Sequence, residues 1–253
     1  MASEVSDEER LRLRERPPGR LVMRQIWRQL AFLHWRVEPA AIAALLPPGL
    51  EVDAFDGAAY VGAVPFTIPL TRTPRLGLPM APAFHEINAR TYVHRGGRDP
   101  GVWFFSLDAT SRLAVAGARL GYGLPYFAAE IALAELDGWV DYKSRRRRGA
   151  AQFRARYRPA GPVAPAAPGS LEFFLAERYL LYASSARGLR TARVHHAPYP
   201  LQAGAAEDVA QTLTEAAGLP PGACAGPPPL VHYAEGVDVQ IFGPRRNELL
   251  SAP

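Results

Sequence analysis

The chain has 253 residues, of which 48% are hydrophobic and 21% charged, with a formal net charge of +5. This is the composition of an ordinary soluble globular protein. The single cysteine excludes an intrachain disulfide and a cysteine zinc site. Lys143 is the only lysine, so a mechanism that needs a lysine imine has one candidate.

Residues 1–20 are highly charged and end in two prolines and a glycine, which predicts a flexible arm before a single domain over residues 21–253. The first ten residues are acidic and polar, unlike a secretory signal, and no apolar run reaches the length of a membrane span. A cytoplasmic location is therefore expected. Residues 21–35 are apolar without a settled period, so both a strand and a helix fit them. A short helix is predicted at 38–47, with Pro39 in its first turn.

Two Asp-Gly dipeptides, at 56–57 and 137–138, predict tight hairpins. Between them a helix is predicted at 110–120, because Thr110 and Ser111 are good N-cap residues. Further elements are predicted in the second half: strands at 152–157, 178–183, 189–195 and 237–242, a short helix after Ser170, and an amphipathic helix at 206–217. Together these patterns indicate a mainly antiparallel β protein with a few short helices.

The most informative stretch is residues 84–109, two apolar segments joined by a glycine-rich loop. Alternation in the first segment places four polar side chains on one face of a strand: Glu86, Asn88, Arg90 and Tyr92. The second segment, 102–109, is apolar on both sides, as in a strand covered on both faces. If the two strands pair, the polar row lines an enclosed cavity; alternatively it faces water from a half-buried strand. Register decides whether Ser106 and Asp108 join the row, because a shift by one residue exchanges the faces.

Known motifs for metal and cofactor binding are absent from the sequence. No two histidines have the spacing of a zinc-binding helix, and there is no Gly-x-Ser-x-Gly, Walker or dinucleotide glycine pattern. We therefore expect no metal and no cofactor. The four arginines at 145–148 favour a solvated strand end over a nucleic-acid surface. Alternation places Tyr142, Ser144 and Arg146 on one face with Lys143 opposite, which argues against Lys143 as a catalytic amine.

Several segments, in the same order, resemble the uncharacterised bacterial YqjF-like family, a branch of the acetoacetate decarboxylase-like superfamily. One is Glu-Ile-Asn-Ala-Arg-Thr-Tyr-Val at 86–93, and the others lie at 32–39, 45–50, 55–57, 61–66, 105–109, 123–126 and 177–179. Together they cover most of residues 25–200. The resemblance implies a cone-shaped, mostly antiparallel β-barrel with a ligand cavity.

The resemblance also implies positions for a site. Arg-Val-Glu-Pro at 36–39 is similar to the decarboxylase motif whose arginine reaches the substrate carboxylate, and Glu86 falls at the position of an active-site glutamate. The segment 119–127 resembles the one that carries the Schiff-base lysine, with Tyr126 in place of that lysine and Phe127 in place of the lysine beside it. An imine needs an amine whose pKa is lowered by burial and a neighbouring cation. Decarboxylation by the Schiff-base route is therefore not expected.

The leading interpretation is a protein that binds an organic acid or similar anionic metabolite in a decarboxylase-like cavity. In it Arg36 and Arg119 hold the anion, and Glu86 and Tyr126 occupy the catalytic positions. The remaining ligand-binding candidates form the polar wall: Asn88, Arg90, Tyr92, Ser106 and Asp108. The alternative is a lyase, hydratase or isomerase that uses Glu86 as general acid or base.

A third interpretation treats Glu86, Arg90 and Arg119 as a buried structural ion network. A small anionic ligand is the expected partner, and self-association into a homo-oligomer is compatible with the sequence. Nucleic-acid and membrane partners are not expected.

Overall fold

Strands make up most of the fold, which confirms the predicted mainly β class. A computed structural model describes residues 5–185 and 188–246, which contain thirteen strands and five short helices. The helices are α1 (Asp7–Arg14), α2 (Pro39–Ala43), α3 (Arg112–Tyr122), α4 (Leu171–Ala176) and α5 (Leu213–Ala216). The strands are β1 (Leu21–Val37), β2 (Glu51–Val52), β3 (Ala59–Arg72), β4 (Pro79–Ala81), β5 (Phe84–Arg95), β6 (Arg98–Ala109), β7 (Tyr126–Leu136), β8 (Trp139–Arg146), β9 (Gln152–Pro159), β10 (Leu180–Ser185), β11 (Gly188–His195), β12 (Leu201–Gln211) and β13 (Leu230–Arg246). The predicted arm and the predicted single domain include residues 1–4 and 247–253, which lie outside the described residues.

The strands form one mixed sheet that closes into a ring. Hydrogen-bonded neighbours run in the order β6, β7, β8, β9, β12, β13, β1, β3 and β5, and β5 pairs back onto β6. On another side β10 and β11 connect β6 to β13. Most pairs are antiparallel, whereas β6 pairs in parallel with β7 and β10. None of the five helices in the described ranges has the length and apolar character needed to cross a membrane.

Local turn and cap chemistry explains many element boundaries. Asp137 and Gly138 both have positive φ (51° and 75°), as a two-residue hairpin turn between β7 and β8 requires. The Asp-Gly pair at 56–57 has the same conformation. α3 begins where the hydroxyl of Ser111 accepts a hydrogen bond from the backbone N–H of Ala114, and it ends at Gly123 with φ of 72°. These turns and this helix were predicted and are confirmed.

The predicted helix at 206–217 is wrong, because residues up to Gln211 belong to β12 and only α5 is helical. Ala206 and Val209, three positions apart, both pack on the same core. A β-bulge around Asp208, whose φ is 53°, inserts the extra residue that produces this spacing. In the sequence a strand interrupted by a bulge therefore has the same apolar spacing as a helix.

The N-terminal arm contains a docked helix, which corrects the expectation of a flexible arm. Ser6 caps α1 by accepting a hydrogen bond from the backbone N–H of Glu9. Arg10 donates two hydrogen bonds, of 2.6 and 2.7 Å, to the carboxylate of Asp53. Leu13 is buried in an apolar cluster with Tyr179. A buried ion pair and an apolar anchor thus hold this charged helix on the domain.

β1, β3 and β5 separate two apolar cores. One face of β1, with Leu33 and Trp35, packs into a core shared with β8 and β9. The other face, with Leu30 and Phe32, packs into a second core shared with β13. β5 is covered on both faces and pairs with β6, so the predicted pair of adjacent central strands is confirmed.

Candidate active site

A cavity of about 560 Å³ lies in the second core. Its wall is mainly apolar and aromatic, from side chains that include Trp27, Leu30, Phe32, Val64, Phe66, Phe84, Phe104, Leu107, Leu124 and Tyr199. Its opening is marked by two lining residues that also reach solvent, Met80 at 42% exposure and Leu113 at 66%. The opening therefore lies between β4 and α3.

The polar row of β5 runs from the opening to the inner end of the cavity. β4 pairs with the end of β3, and from that end β3 and β5 run inward together, from the pair Ile68–Phe84 to the pair Gly62–Arg90. Glu86 is therefore closer to the opening, and Arg90 lies at the inner end. The Cα atoms of Glu86 and Arg90 are about 13 Å apart, because four residues of extended strand span that distance.

A bulge in β6 decides which of its side chains reach the cavity. Asn88 lies opposite Leu107, but two residues further along β5, Arg90 lies opposite Phe104. β6 therefore contains one extra residue in this interval. As a result Phe104 and Leu107 both line the cavity together with Asn88 and Arg90.

The same bulge corrects the expectation that Ser106 and Asp108 line the cavity. Both are buried on the opposite face of β6. The carboxylate of Asp108 accepts hydrogen bonds of 3.0 and 2.8 Å from Arg146, whose guanidinium stacks 3.7 Å from the ring centre of Phe127. Arg146 shares a face of β8 with Tyr142 and Ser144 as predicted, but it is buried, which corrects the expectation of a solvated strand end for this arginine.

Glu86 and Tyr126 form the first polar group of the cavity. The phenol of Tyr126 donates a 2.8 Å hydrogen bond to the carboxylate of Glu86, which is 3% exposed. Burial raises the pKa of Glu86 to about 8; the Tyr126 hydrogen bond opposes this rise and the charge of Asp108 adds to it. Burial, and then the Glu86 charge, raise the pKa of Tyr126 well above its ordinary value. A carboxyl group in this range can donate or accept a proton near neutral pH.

We expect Glu86→Gln to remove a pH dependence of stability. Between the ordinary glutamate pKa of 4.5 and about 8, the folded protein holds a proton on Glu86 that the unfolded chain has lost. Its free energy of unfolding should therefore fall by about 1.4 kcal/mol for each pH unit in this window. Urea unfolding from pH 5 to 8 should show the variant gaining stability relative to the natural protein. The exposed control Glu8→Gln should show the same pH dependence of stability as the natural protein. An unchanged pH dependence in Glu86→Gln would contradict the raised pKa of Glu86.

Arg90 is the second polar group, at the inner end. It is 8% exposed, and its guanidinium donates a 3.0 Å hydrogen bond to the carbonyl of Leu175 and lies over the rings of Phe32 and Tyr92. Within the described residues no carboxylate forms an ion pair with it, and its Nε has no hydrogen-bond partner. The amide oxygen of Asn88, next along the row, is also buried and without a partner there.

Arg178 adds a second guanidinium to the cavity wall. Its Nη1 donates a 2.7 Å hydrogen bond to Asp53 and its Nε donates to the carbonyl of Phe174, while Nη2 has no partner among the described atoms. Asp53 also accepts both bonds from Arg10, so one carboxylate faces two arginines. Burial lowers the pKa of Arg178 to about 10, which leaves it charged at neutral pH. Arg178 and Arg90 lie 4.9 and 5.7 Å from the ring centre of Tyr92, so positive charge concentrates at this end.

Arg36 and Arg119, the predicted anion ligands, do not line the cavity. Arg36 shares a face of β1 with Phe32 but lies beyond it, near the end of the strand, where it is exposed. Arg119 is exposed on α3, and its Nε donates a 2.6 Å hydrogen bond to the carbonyl of Tyr126. It therefore supports the backbone at Tyr126. The predicted ion network with Glu86 and Arg90 is not found in residues 5–185 and 188–246.

Tyr92 and Lys143 also lie outside the cavity wall. The hydroxyl of Tyr92 donates a 2.7 Å hydrogen bond to the carbonyl of Leu175 and contacts Nε2 of His34 at 2.6 Å, so it supports the wall from behind. Lys143 lies on the exposed face of β8, where its ammonium is 3.1 Å from the carboxylate of Asp141. In the described part of the chain no group of three metal-ligating side chains comes together.

Arg178 is the site residue that the sequence analysis missed. It belongs to the family segment 177–179, but nothing near it in sequence suggests a partner. Asp53, its partner, is 125 positions away. The one available signal was its place between Phe174 and Tyr179, because a charged residue among buried aromatics needs a specific role.

The sequence profile of DUF2071, described as "Uncharacterized conserved protein", matches residues 24–238. The uncharacterized protein YqjF of Bacillus subtilis (strain 168) is 40% identical over 233 residues, which are 91% of this chain and 94% of that protein.

Solved structures with the same fold include acetoacetate decarboxylase of Legionella pneumophila, with a TM-score of 0.59, 15% identity, and coverage of 90% of this chain and 87% of the other. Another is the enduracididine biosynthesis enzyme MppR complexed with pyruvate, with a TM-score of 0.57, 16% identity and 91% coverage of both chains. These similarities confirm the predicted resemblance. The chain therefore belongs to the DUF2071 family of conserved proteins, and it has the fold of acetoacetate decarboxylase.

Proposed function

We propose that this protein binds a small organic carboxylate in the cavity, with Arg90, Arg178 and Asn88 at the anion-binding end. The observation that carries the proposal is Arg90, a buried guanidinium without a carboxylate partner among the described residues. Removing a charge from water costs several kcal/mol unless an opposite charge compensates it. A bound carboxylate would supply that charge.

The chemistry of the inner end fits a carboxylate well. The guanidinium is a planar fork of donors that can meet two carboxylate oxygens at once. The second arginine, Arg178, adds positive charge, since Asp53 is shared with Arg10. MppR, which has the same fold, is complexed with pyruvate, so this architecture can hold a small organic acid.

The first test compares carboxylates with neutral analogues. Organic acids should stabilise the natural protein by mass action. Its free energy of unfolding should rise by about 2.7 kcal/mol when the ligand is at 100 times its dissociation constant. For a chain of this length that is a shift of about 5–10 °C. The matched primary amides should give no comparable shift. Equal shifts for acids and amides, or none for any acid, would contradict an anion site.

A second candidate function is a reaction by general acid–base chemistry, as in a lyase, hydratase or isomerase. The raised pKa of Glu86, due to burial, favours it, because an acid or base works best with a pKa near the working pH. The imine route has no support, since Lys143 is the only lysine and lies on an exposed face. The test is exchange of carbon-bound hydrogen of a bound acid in deuterated water, followed by NMR. Exchange that Glu86→Gln abolishes supports an enzyme; no exchange with any bound acid leaves binding alone.

A further inference from the structure

The cavity is polar at its inner end and mainly apolar along the rest of its length. Asn88, Arg90 and Arg178 are grouped around the inner end. From there to the opening the wall is formed chiefly by Trp27, Phe66, Ile68, Phe84, Met80 and Leu113. The other polar side chains of the wall are the hydrogen-bonded pairs Glu86–Tyr126 and Gln25–Thr71, and Tyr122, whose buried hydroxyl has no partner among the described atoms.

The cavity is also too large for the smallest acids. Its volume of about 560 Å³ lies within the range of roughly 300–1,000 Å³ that is typical of sites for drug-sized ligands. An apolar cavity of about 150 Å³ is enough to hold benzene. A three- or four-carbon acid bound to Arg90 would leave most of the apolar wall without contacts, and protein interiors lose stability where such voids persist.

From these features we propose that the ligand is an elongated, amphipathic monocarboxylate that binds with its carboxylate innermost at Arg90 and its apolar chain directed toward the opening. This inference rests on the proposed carboxylate site and adds the ligand class and orientation. The guanidinium of Arg90 lies over the ring of Tyr92. Because Tyr92 follows Arg90 along β5 on the side away from Glu86, this guanidinium is turned away from Glu86. An acid that contacts both groups must therefore extend over several carbon–carbon bonds.

Gly62 shows how the chain keeps room for this arrangement. A Cβ atom added there would lie 2.9 Å from Nε2 of His34 and 3.6 Å from Cγ of Arg90. A Cβ atom would push the His34 ring aside and would already be in van der Waals contact with Arg90. At the outer end, the exposed Met80 and Leu113 extend the apolar wall to the surface, where the end of a long chain would contact them.

The test uses linear saturated carboxylates from butyrate to decanoate, measured by titration calorimetry on the whole protein. Affinity should rise about fourfold for each added methylene that enters the cavity, which is the usual gain from burying that group. The heat-capacity change of binding should become more negative along the series. 1-Octanol should bind at least tenfold more weakly than octanoate, because it lacks the charge that meets Arg90.

A pair of variants on α3 tests the orientation. Ala118→Phe adds a ring to the wall formed by α3, the helix that borders the opening, whereas Ala116→Phe adds the same ring on the exposed side of the helix. With the carboxylate innermost, Ala118→Phe should weaken decanoate at least tenfold and leave butyrate within twofold, while Ala116→Phe should change neither. If Ala118→Phe does not fold, Ala118→Leu serves the same purpose.

Each of the other possible outcomes would overturn a particular part of the proposal. Equal loss of butyrate and decanoate in the Ala118 variant would place the carboxylate near the opening and refute the orientation. If the affinity for carboxylates does not increase with chain length but binding is lost in Arg90→Gln, the elongated ligand class is refuted and the proposed carboxylate site is kept. No binding of any acid would refute both.

Discussion

Replacing Arg90 by methionine should weaken carboxylate binding by about 10- to 100-fold and leave the ligand-free protein at least as stable as the natural one. The loss corresponds to the roughly 1.5–3 kcal/mol of hydrogen bonds to charged groups. The stability is retained because an apolar side chain replaces a buried charge that has no carboxylate partner among the described residues. The carbonyl of Leu175 still accepts a hydrogen bond from Tyr92 after the change.

The matched control for Arg90→Met is Arg36→Met, at the exposed end of β1, which β3 separates from β5. We expect it to bind carboxylates as the natural protein does. Calorimetry measures binding, and urea unfolding without ligand measures stability. A large loss of stability in Arg90→Met would instead assign Arg90 a structural role. Loss of binding in Arg36→Met would return the anion site to the position that the family resemblance implies.

Asp53→Asn should be the most destabilising single change in the described network, by about 3–5 kcal/mol. The substitution leaves two largely buried guanidinium groups, of Arg10 and Arg178, without their counter-charge, and breaking a buried pair from one side costs about this much. It also releases α1, because the Arg10–Asp53 pair holds that helix on the domain. We expect protease cleavage within α1 to become faster in the variant.

The control for Asp53 is Asp141→Asn, which breaks the exposed pair with Lys143 and should cost less than about 1 kcal/mol. The pH dependence gives a second check. Burial tends to raise the pKa of Asp53, but the charges and hydrogen bonds of Arg178 and Arg10 lower it below its ordinary value. Its contribution to stability is therefore present above the pKa of the unfolded chain and is lost as the pH falls through the folded value. Natural protein and variant should converge in acid, and a constant difference at all pH values would contradict this account.

Glu86 and Arg90 share one face of one strand but have opposite surroundings. Burial raises the pKa of Glu86 to about 8, so that it is largely uncharged near neutral pH, whereas Arg90 brings a guanidinium group to the same cavity. The cavity thus presents a proton donor nearer its opening and a cation at its inner end. A ligand that binds the cation can be protonated or deprotonated only some distance from its carboxylate.

The sequence by itself determined most of the strands, the two Asp-Gly turns and the family. Alternation along 84–93 placed Glu86, Asn88 and Arg90 on one face, and the two Asp-Gly turns and the Ser111 cap marked element ends. These features follow from neighbouring residues, because side-chain direction, turn conformation and capping are properties of a few consecutive positions.

Only the tertiary structure decided which charged residues meet in the cavity. The bulge in β6 turned Ser106 and Asp108 away, and the Arg178–Asp53 pair joins positions 125 residues apart. Family resemblance suggested Arg36 and Arg119, yet both are exposed. The physical reason is that a charged side chain finds its partner by how the closed sheet brings distant strands together, and one extra residue in a strand exchanges all the contacts that follow it.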